Sequence, residues 1–205
     1  MKKLIVVCAV AAVFAAGVCR AETLKLFDEE DGFVDLISQH AVDSVVEIEA
    51  KDVFAGKKAL KVTPQQSYIE TIDGWEYHIT DKPGKGEFRY IMFAWKKLGG
   101  EGIMIQFPDS GQWGGVTEAI VEPGEPCRRY VAGENVAGWS SIQIDKNIPA
   151  KWTPVIRDMY ADFGEFIMTG IAFTPFDGDV GLWDCIYLGT TKDELVKLAD
   201  KIKNK

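Results

Sequence analysis

Short apolar runs, separated by turn residues, are the feature of this sequence that most restricts its fold. Between Leu24 and Leu188 the runs alternate with polar residues or stay continuous over a few positions, and Gly, Pro and Asp separate them. Such runs, bounded by strong turn sequences, are typical of β-strands in a sandwich or barrel. We therefore predict an all-β fold built as a two-sheet antiparallel β-sandwich.

Ten strands are predicted from these runs. In the run 87–96 both alternating faces are largely apolar, so we expect this strand in the centre of a sheet. A helical turn is expected within Gly32–Val42. The predicted strands lie near Leu24–Phe27, Ser44–Ala50, Lys58–Thr63, Glu87–Lys96, Ile103–Phe107, Arg128–Ala132, Ser141–Ile144, Thr153–Tyr160, Phe166–Phe173 and Gly181–Leu188.

The N-terminal residues have the layout of a signal peptide. Two lysines precede the apolar stretch Leu4–Val18, which is shorter than the roughly 20 residues that span a bilayer as a helix. We expect residues 1–21 to be cleaved after Ala21. The mature chain is then exported to the periplasm or the cell exterior, with no membrane insertion. Lipidation of Cys19 is an alternative, although the bulky residue before that cysteine fits a lipoprotein signal poorly.

The mature chain is predicted to be a β-sandwich domain, 22–190, followed by a C-terminal helix, 191–205. Thr191 and Glu194 have capping-box spacing, and apolar residues then recur on one helical stripe. The helix either docks on the edge of the sandwich or binds a partner.

Charge limits the class of partner. Removing residues 1–21 removes three basic residues and no acidic ones, which leaves 20 basic and 31 acidic residues and a net charge of −11. Nucleic acid and anionic lipid would be repelled by this charge, so neither is expected as a partner.

Two cysteines remain after cleavage, Cys127 and Cys185. An oxidising compartment permits a disulfide between them. Two separate buried thiols are the alternative, because sequence alone does not show whether the two Cα atoms come close enough.

No catalytic residues are predicted. The two histidines, His40 and His78, lie in no nucleophile-elbow or metal-binding motif. A β-sandwich glycoside hydrolase or lyase remains an alternative, because a carboxylate pair depends on distance in the fold. Glu118, Glu122 and Glu125 are close in sequence but lie around a predicted loop.

A ligand site is predicted around two tryptophans. Trp113 and Trp139 are flanked by glycines, which makes them hard to bury in regular strands, whereas Trp95, Trp152 and Trp183 lie in strand-like runs and are expected in the core. Sugar rings pack their C–H faces on flat indole rings, and their hydroxyls seek planar polar groups. The predicted site therefore has Trp113 and Trp139 for stacking, with hydroxyls bound by Arg128, Tyr130 and Asn135. Arg129 is a further polar residue that could contribute to it. Anchoring of the loops is the alternative role of the two tryptophans.

Three segments, 26–32, 53–62 and 182–189, together resemble a family. In order and placement they are similar to the opening strand, a hairpin and the closing strand of galactose-binding-like jelly-roll domains, of the carbohydrate-binding-module type found in secreted bacterial proteins. The resemblance implies a jelly-roll sandwich that binds glycans.

The same resemblance implies a structural calcium ion where the first and last strands meet. The matching acidic positions are Glu30 and Asp184, to which Asp28, Asp177 or Asp179 could add oxygens. Ordinary turn acids in an acidic protein are the alternative.

The expected function is thus an exported, non-catalytic module that binds a carbohydrate or another polyhydroxyl ligand. A structural or protein-interaction domain that contacts an envelope protein is the first alternative.

Overall fold

The computed structural model describes residues 21–41, 43–114, 120–124 and 127–203. Two large β-sheets, a two-stranded pair and three helices make up this part of the chain. None of the described helices has the length and apolar character needed to cross a bilayer. The strands are β1 Thr23–Phe27, β2 Val46–Glu49, β3 Ala59–Val62, β4 Ser67–Ile69, β5 Tyr77–Ile79, β6 Tyr90–Leu98, β7 Gly102–Gln106, β8 Arg129–Gly133, β9 Ile142–Asp145, β10 Thr153–Asp158, β11 Phe166–Met168, β12 Ile171–Pro175 and β13 Val180–Gly189. The helices are α1 Asp31–Ser38, α2 Met159–Phe163 and α3 Lys192–Lys203.

The six-stranded sheet is organised around β13. Its strand order is β10-β6-β13-β3-β2, and β1 also pairs with β13. On one side β13 pairs with β6. On the other side it pairs with β3 through 181–183 and with β1 through 186–189. The prediction of a central strand at 87–96 is confirmed, because β6 lies between β10 and β13.

The second sheet has five strands in the order β4-β12-β7-β8-β9. Its strands are antiparallel except β8 and β9, which run parallel. The predicted two-sheet antiparallel sandwich is confirmed, with this one parallel pair as a departure. A separate pair, β5 with β11, accompanies the two sheets.

Apolar side chains from both sheets form one core between them. The rings of Phe173 on β12 and Trp183 on β13 meet edge to face with centroids 5.0 Å apart. Trp95 on β6 is also fully buried. The core positions predicted for Trp95 and Trp183 are confirmed, whereas Trp152 is only half-buried and donates its indole N–H to Asp52.

One predicted strand, Phe166–Phe173, is two strands in different sheets. The strand is interrupted between Met168 and Ile171. At Gly170, within this interruption, an added Cβ would lie 1.9 Å from the carbonyl oxygen of Ile69 on β4. Only glycine permits such a close backbone approach. Two other strands, β4 and β5, have three residues each and were not predicted.

The C-terminal helix α3 packs on the face of the six-stranded sheet rather than on the expected edge. Its buried residues Leu195 and Ala199 form a second apolar cluster with Met92, Cys185 and Tyr187. The predicted apolar stripe is thus used within the chain. The helix covers the side of β6 and β13 that faces away from the main core.

Candidate functional site

One row of side chains crosses the outer face of the five-stranded sheet. Tyr68 on β4 is paired with Ala172 on β12, which is paired with Gln106 on β7, which is paired with Arg129 on β8. Because side chains alternate along a strand, this row faces away from the core that Tyr130 enters. Gln106 and Arg129 are nevertheless buried, so loops cover this part of the sheet.

Arg129 holds those loops in place. Its Nη2 donates to the carbonyl oxygens of Trp113 and Gly114 at 3.0 and 3.1 Å. Its Nη1 donates to the carbonyl oxygens of Cys127 at 3.2 Å and Ser140 at 3.4 Å. A single buried guanidinium therefore ties both predicted ligand loops to the sheet.

The third nitrogen of the Arg129 guanidinium, Nε, fixes the position of this side chain on the sheet. Nε donates to Gln106 Oε1 at 2.9 Å, and the amide of Gln106 in turn donates to the Thr174 hydroxyl at 2.8 Å. This chain of hydrogen bonds runs across β8, β7 and β12. Burial lowers the pKa of Arg129, and the charge of Arg128 lowers it further.

The two predicted tryptophans meet at Arg129. The Arg129 guanidinium carbon lies 5.8 Å from the Trp139 ring centroid, within the range of a cation–π contact. Trp139 keeps 36% of its surface exposed. The half-buried Trp113 has its carbonyl at Arg129 and its ring edge to face with Tyr68, with centroids 6.0 Å apart. Both indoles are thus placed on the outer side of one sheet.

Tyr130 is not available to a ligand, contrary to the prediction. It is fully buried, and its hydroxyl donates to Asp162 Oδ2 at 2.7 Å. Arg157 pairs with the same carboxylate. Burial raises the pKa of Tyr130 well above its usual value. The sequence places Tyr130 next to Arg129, and strand alternation turns it toward the core.

Arg128 is close to the Trp113 loop. An added Cβ at Gly114 would lie 2.8 Å from Arg128 Nη2, so the guanidinium packs directly against the residue after Trp113. The same nitrogen is 3.5 Å from the carbonyl oxygen of Gln112. Arg128 has a positive φ of 53°, which is unusual for any residue other than glycine.

Asn135 supports Trp139 instead of standing free for a ligand. Its side-chain amide donates to the Trp139 carbonyl oxygen and to the Ser141 hydroxyl at 3.0 Å. The predicted hydroxyl-binding group of Asn135 is therefore engaged within the loop that carries Trp139.

Gln106 and Tyr68 accompany Arg129 at the predicted site, and Tyr130 does not face it. The sequence indicated Arg129 as a possible ligand contact, whereas in the structure it organises the loops. Its role depends on the pairing of β8 with β7, which no local pattern reveals.

The two predicted calcium ligands, Glu30 and Asp184, each bond to other groups of the protein. Glu30 pairs with Lys25 and accepts the backbone N–H of Asp28 at 2.7 Å. Asp184 is fully buried and accepts the backbone N–H groups of Phe54 at 2.9 Å and Ala55 at 3.1 Å.

The two aspartates suggested as additional ligands, Asp177 and Asp179, lie at the turn between β12 and β13, beside the turn between β6 and β7. There Asp177 accepts the backbone N–H of Glu101 at 2.6 Å, and its carbonyl oxygen accepts from Lys97 at 2.6 Å.

Among the described residues, one group of potential metal ligands has its ligand atoms within 4.8 Å of one another. The group consists of Asp28, Asp184 and Cys185. Calcium requires six to eight oxygen ligands, and a thiol is not one of them. Asp184 already accepts three backbone N–H groups, including that of Cys185 at 2.7 Å. Asp28 accepts from the Tyr187 hydroxyl. This donor set does not fit a calcium ion.

Cys127 and Cys185 are both buried and unbridged. Cys127 belongs to the main core and Cys185 to the cluster under α3. The structure therefore corresponds to the alternative of two separate thiols and not to the disulfide. Burial raises the pKa of each thiol.

Glu118, Glu122 and Glu125 are the carboxylates that the sequence suggests for hydrolysis. Glu118 and Glu125 lie outside the described residues, as do residues 1–20 with Cys19, and Glu122 is exposed. His40 and His78 are exposed.

No protein-family model matches this sequence, and no curated protein matches it. Solved structures that are similar to this chain include two carbohydrate-binding modules, each at a TM-score of 0.38. One is the C-terminal family 22 carbohydrate-binding module of a Clostridium thermocellum protein, 12% identical, with 74% of this chain and 82% of that chain covered. The other is a family 30 carbohydrate-binding module, 14% identical, with 74% of this chain and 77% of that chain covered.

Proposed function

We propose that this protein binds a carbohydrate on the outer face of its five-stranded sheet, without catalysis. The observation that carries the proposal is that Arg129 holds the backbone of Trp113 and the indole of Trp139 on this face. It donates to the backbone of Trp113 and lies against the ring of Trp139, which stays partly exposed. An exposed indole with a fixed orientation is a suitable surface for the C–H face of a sugar ring.

The proposed site uses fewer residues as ligand contacts than the sequence predicted. Trp139 stacks on the sugar, and Trp113 lines the site beside it. Arg128 is the polar residue of the prediction that keeps unused donor capacity. Tyr130 and Asn135 act through the fold, one in the core and the other in the Trp139 loop.

We also propose that the protein acts outside the cytoplasm, with a mature chain that begins at Glu22. The backbone of Glu22 supports this proposal, because its carbonyl oxygen accepts the Thr190 N–H at 3.0 Å and its N–H donates to the Thr190 hydroxyl at 3.0 Å. The sheet then starts at Thr23. Removal of residues 1–21 would leave these contacts in place.

A glycan array combined with intrinsic fluorescence titration tests the binding function. We expect saturable quenching of tryptophan emission by at least one glycan, and loss of this binding in Trp139→Ala. Trp152→Ala is the matched control, since Trp152 is half-buried away from the site beside Phe54. Equal binding by both variants, or no binding across the array, would reject the proposal.

A protein partner is the second candidate, because other apolar side chains are exposed near Trp139. Val136 lies in the same loop with 51% exposure, and Ile120, at 48%, is bridged to Ser141. An apolar patch of this kind suits protein contacts as well as sugars. A silent glycan array would favour this candidate.

A further inference from the structure

We infer that the glycan bound at this face carries a carboxylate, as a uronic-acid sugar does, and that the Arg128 guanidinium receives it. This inference rests on the proposed carbohydrate-binding function and specifies its ligand class. The arginines of the described residues differ in how they are paired with carboxylates.

The other two arginines of the described residues have close carboxylate partners. Arg89 donates to Asp158 Oδ2 at 2.8 Å and to Asp81 Oδ1 at 2.7 Å. Arg157 donates to Asp162 Oδ1 at 2.6 Å. Close pairing of this kind is the usual arrangement for an arginine that is partly removed from water.

The two arginines at the site differ from this arrangement. Arg129 contacts neutral acceptors and no carboxylate among the described residues, although it is only 5% exposed. Among the described residues, Arg128 is paired with Asp109, whose Oδ2 lies 4.0 Å from Nη1, and the Arg128 side chain keeps 12% of its surface exposed. Within the described ranges, the two adjacent positive charges beside the tryptophans therefore have one carboxylate partner, at 4.0 Å.

Of the two arginines, Arg128 has N–H donors that are not fully used in hydrogen bonds. Every nitrogen of the Arg129 guanidinium already donates to an acceptor. By contrast, Arg128 Nε is buried and has no acceptor among the described residues. The contact from Arg128 Nη2 to the Gln112 carbonyl oxygen, at 3.5 Å, is long for a hydrogen bond. A ligand carboxylate at the Nη atoms would give this guanidinium a close anionic partner.

The location of Arg128 connects this charge to the stacking site. Its guanidinium packs against Gly114, and Gly114 directly follows Trp113. A carboxylate on a sugar beside Trp113 would thus meet Arg128 before any other cation of the described loops. The left-handed backbone at Arg128 is a strained conformation of the kind often found at binding sites.

The acidic character of the chain makes this local charge important. Acidic residues outnumber basic ones by 31 to 23, so the protein as a whole repels a polyanion. Screening limits this repulsion to about 8 Å at physiological ionic strength. The nearby arginines, and not the net charge, therefore decide how a carboxylate binds.

Isothermal titration with acidic glycans and their carboxyl-reduced forms tests the inference. The probes are polygalacturonate, alginate and glucuronoxylan oligosaccharides, each compared at constant ionic strength with the derivative in which the carboxylate has become a hydroxymethyl group. We expect at least one acidic form to bind about tenfold or more tightly than its reduced form, as a charge-assisted hydrogen bond predicts.

Variants of Arg128 assign this preference to its guanidinium. We expect Arg128→Gln to abolish the preference and Arg128→Lys to retain part of it. Both replacements have the same backbone strain, so their comparison isolates the charge. Lys85→Gln is the control for net charge, because Lys85 is an exposed residue of the turn before β6. Melting temperatures of all variants show whether each is folded.

Three outcomes would overturn the inference. Equal affinity for acidic and reduced glycans would exclude a carboxylate contact, while leaving carbohydrate binding intact. An undiminished preference in folded Arg128→Gln would exclude Arg128. Absence of binding to every acidic and neutral glycan would reject the proposed function itself, and with it the inference.

Discussion

Arg129 and Trp139 are joined by a cation–π contact of 5.8 Å, and the same guanidinium donates to the backbone of Trp113. A residue that the sequence indicated as a possible ligand contact is therefore the residue that organises the site. Arg129 acts through the loops that it holds.

Replacement of Arg129 should disturb both stability and the site. Arg129→Met would remove every guanidinium donor and leave Gln106 Oε1 and the carbonyl oxygen of Trp113 without that partner. Each buried polar group left unsatisfied costs about 1–3 kcal/mol, so we expect a loss of about 2–4 kcal/mol in the free energy of unfolding, measured by urea denaturation. Tryptophan emission of the folded variant should shift to the red as Trp139 becomes more exposed. An unchanged emission maximum and stability would contradict this role.

The docking of α3 predicts a sharp contrast between neighbouring residues. Leu195 of α3 is fully buried between the helix and the sheet, whereas the adjacent Val196 is 40% exposed. Leu195→Ala should lower the free energy of unfolding by about 2–4 kcal/mol, because it leaves a cavity. Val196→Ala should change it by less than about 0.5 kcal/mol. Thermal or urea unfolding of the two variants measures the difference, and similar effects would mean that the helix is not docked.

Asp184 should make stability depend on pH in an unusual direction. Burial raises its pKa to about 6 from 3.8, although three backbone N–H groups oppose the rise. Between these two pKa values the folded state binds more protons at Asp184 than the unfolded state, so this residue contributes more stability as the pH falls from 6 to 4.

Comparison with Asp184→Asn isolates this contribution, because the other carboxylates are common to both proteins. The free energy of unfolding of the wild type, relative to the variant, should increase by about 2–3 kcal/mol over that pH range. A constant difference across the range would show that Asp184 is ionised in the folded state throughout.

Calcium should not stabilise the fold. The group formed by Asp28, Asp184 and Cys185 includes a thiol and a carboxylate already bonded to backbone N–H groups. A site at a hundred times its Kd would add about 2.7 kcal/mol to stability. We expect the melting temperature to be the same in excess calcium and in EDTA. A clear rise in calcium that EDTA reverses would restore the predicted metal site.

Local patterns in the sequence were sufficient for most of the architecture. Alternation and turn residues predicted the strands around β1, β6, β7 and β13, and the apolar stripe after Thr191 predicted α3. These features depend on neighbours in the chain, which a sequence displays directly. The division of 166–173 into two strands was not predictable, because Gly170 is required by a contact with the distant Ile69.

In the candidate site, too, the features that depend on chain neighbours were predictable and those that depend on tertiary contacts were not. Glycines beside Trp113 and Trp139 marked them from sequence, since flexible flanks disfavour burial in a strand. Alternation predicted that Arg129 and Tyr130 point to opposite faces, but only the packing of the second sheet decided that Tyr130 is inside. The convergence of both tryptophans on Arg129 likewise required β8 to pair with β7. Which face of a strand is buried is a property of the elements packed against it, and those elements are far away in sequence.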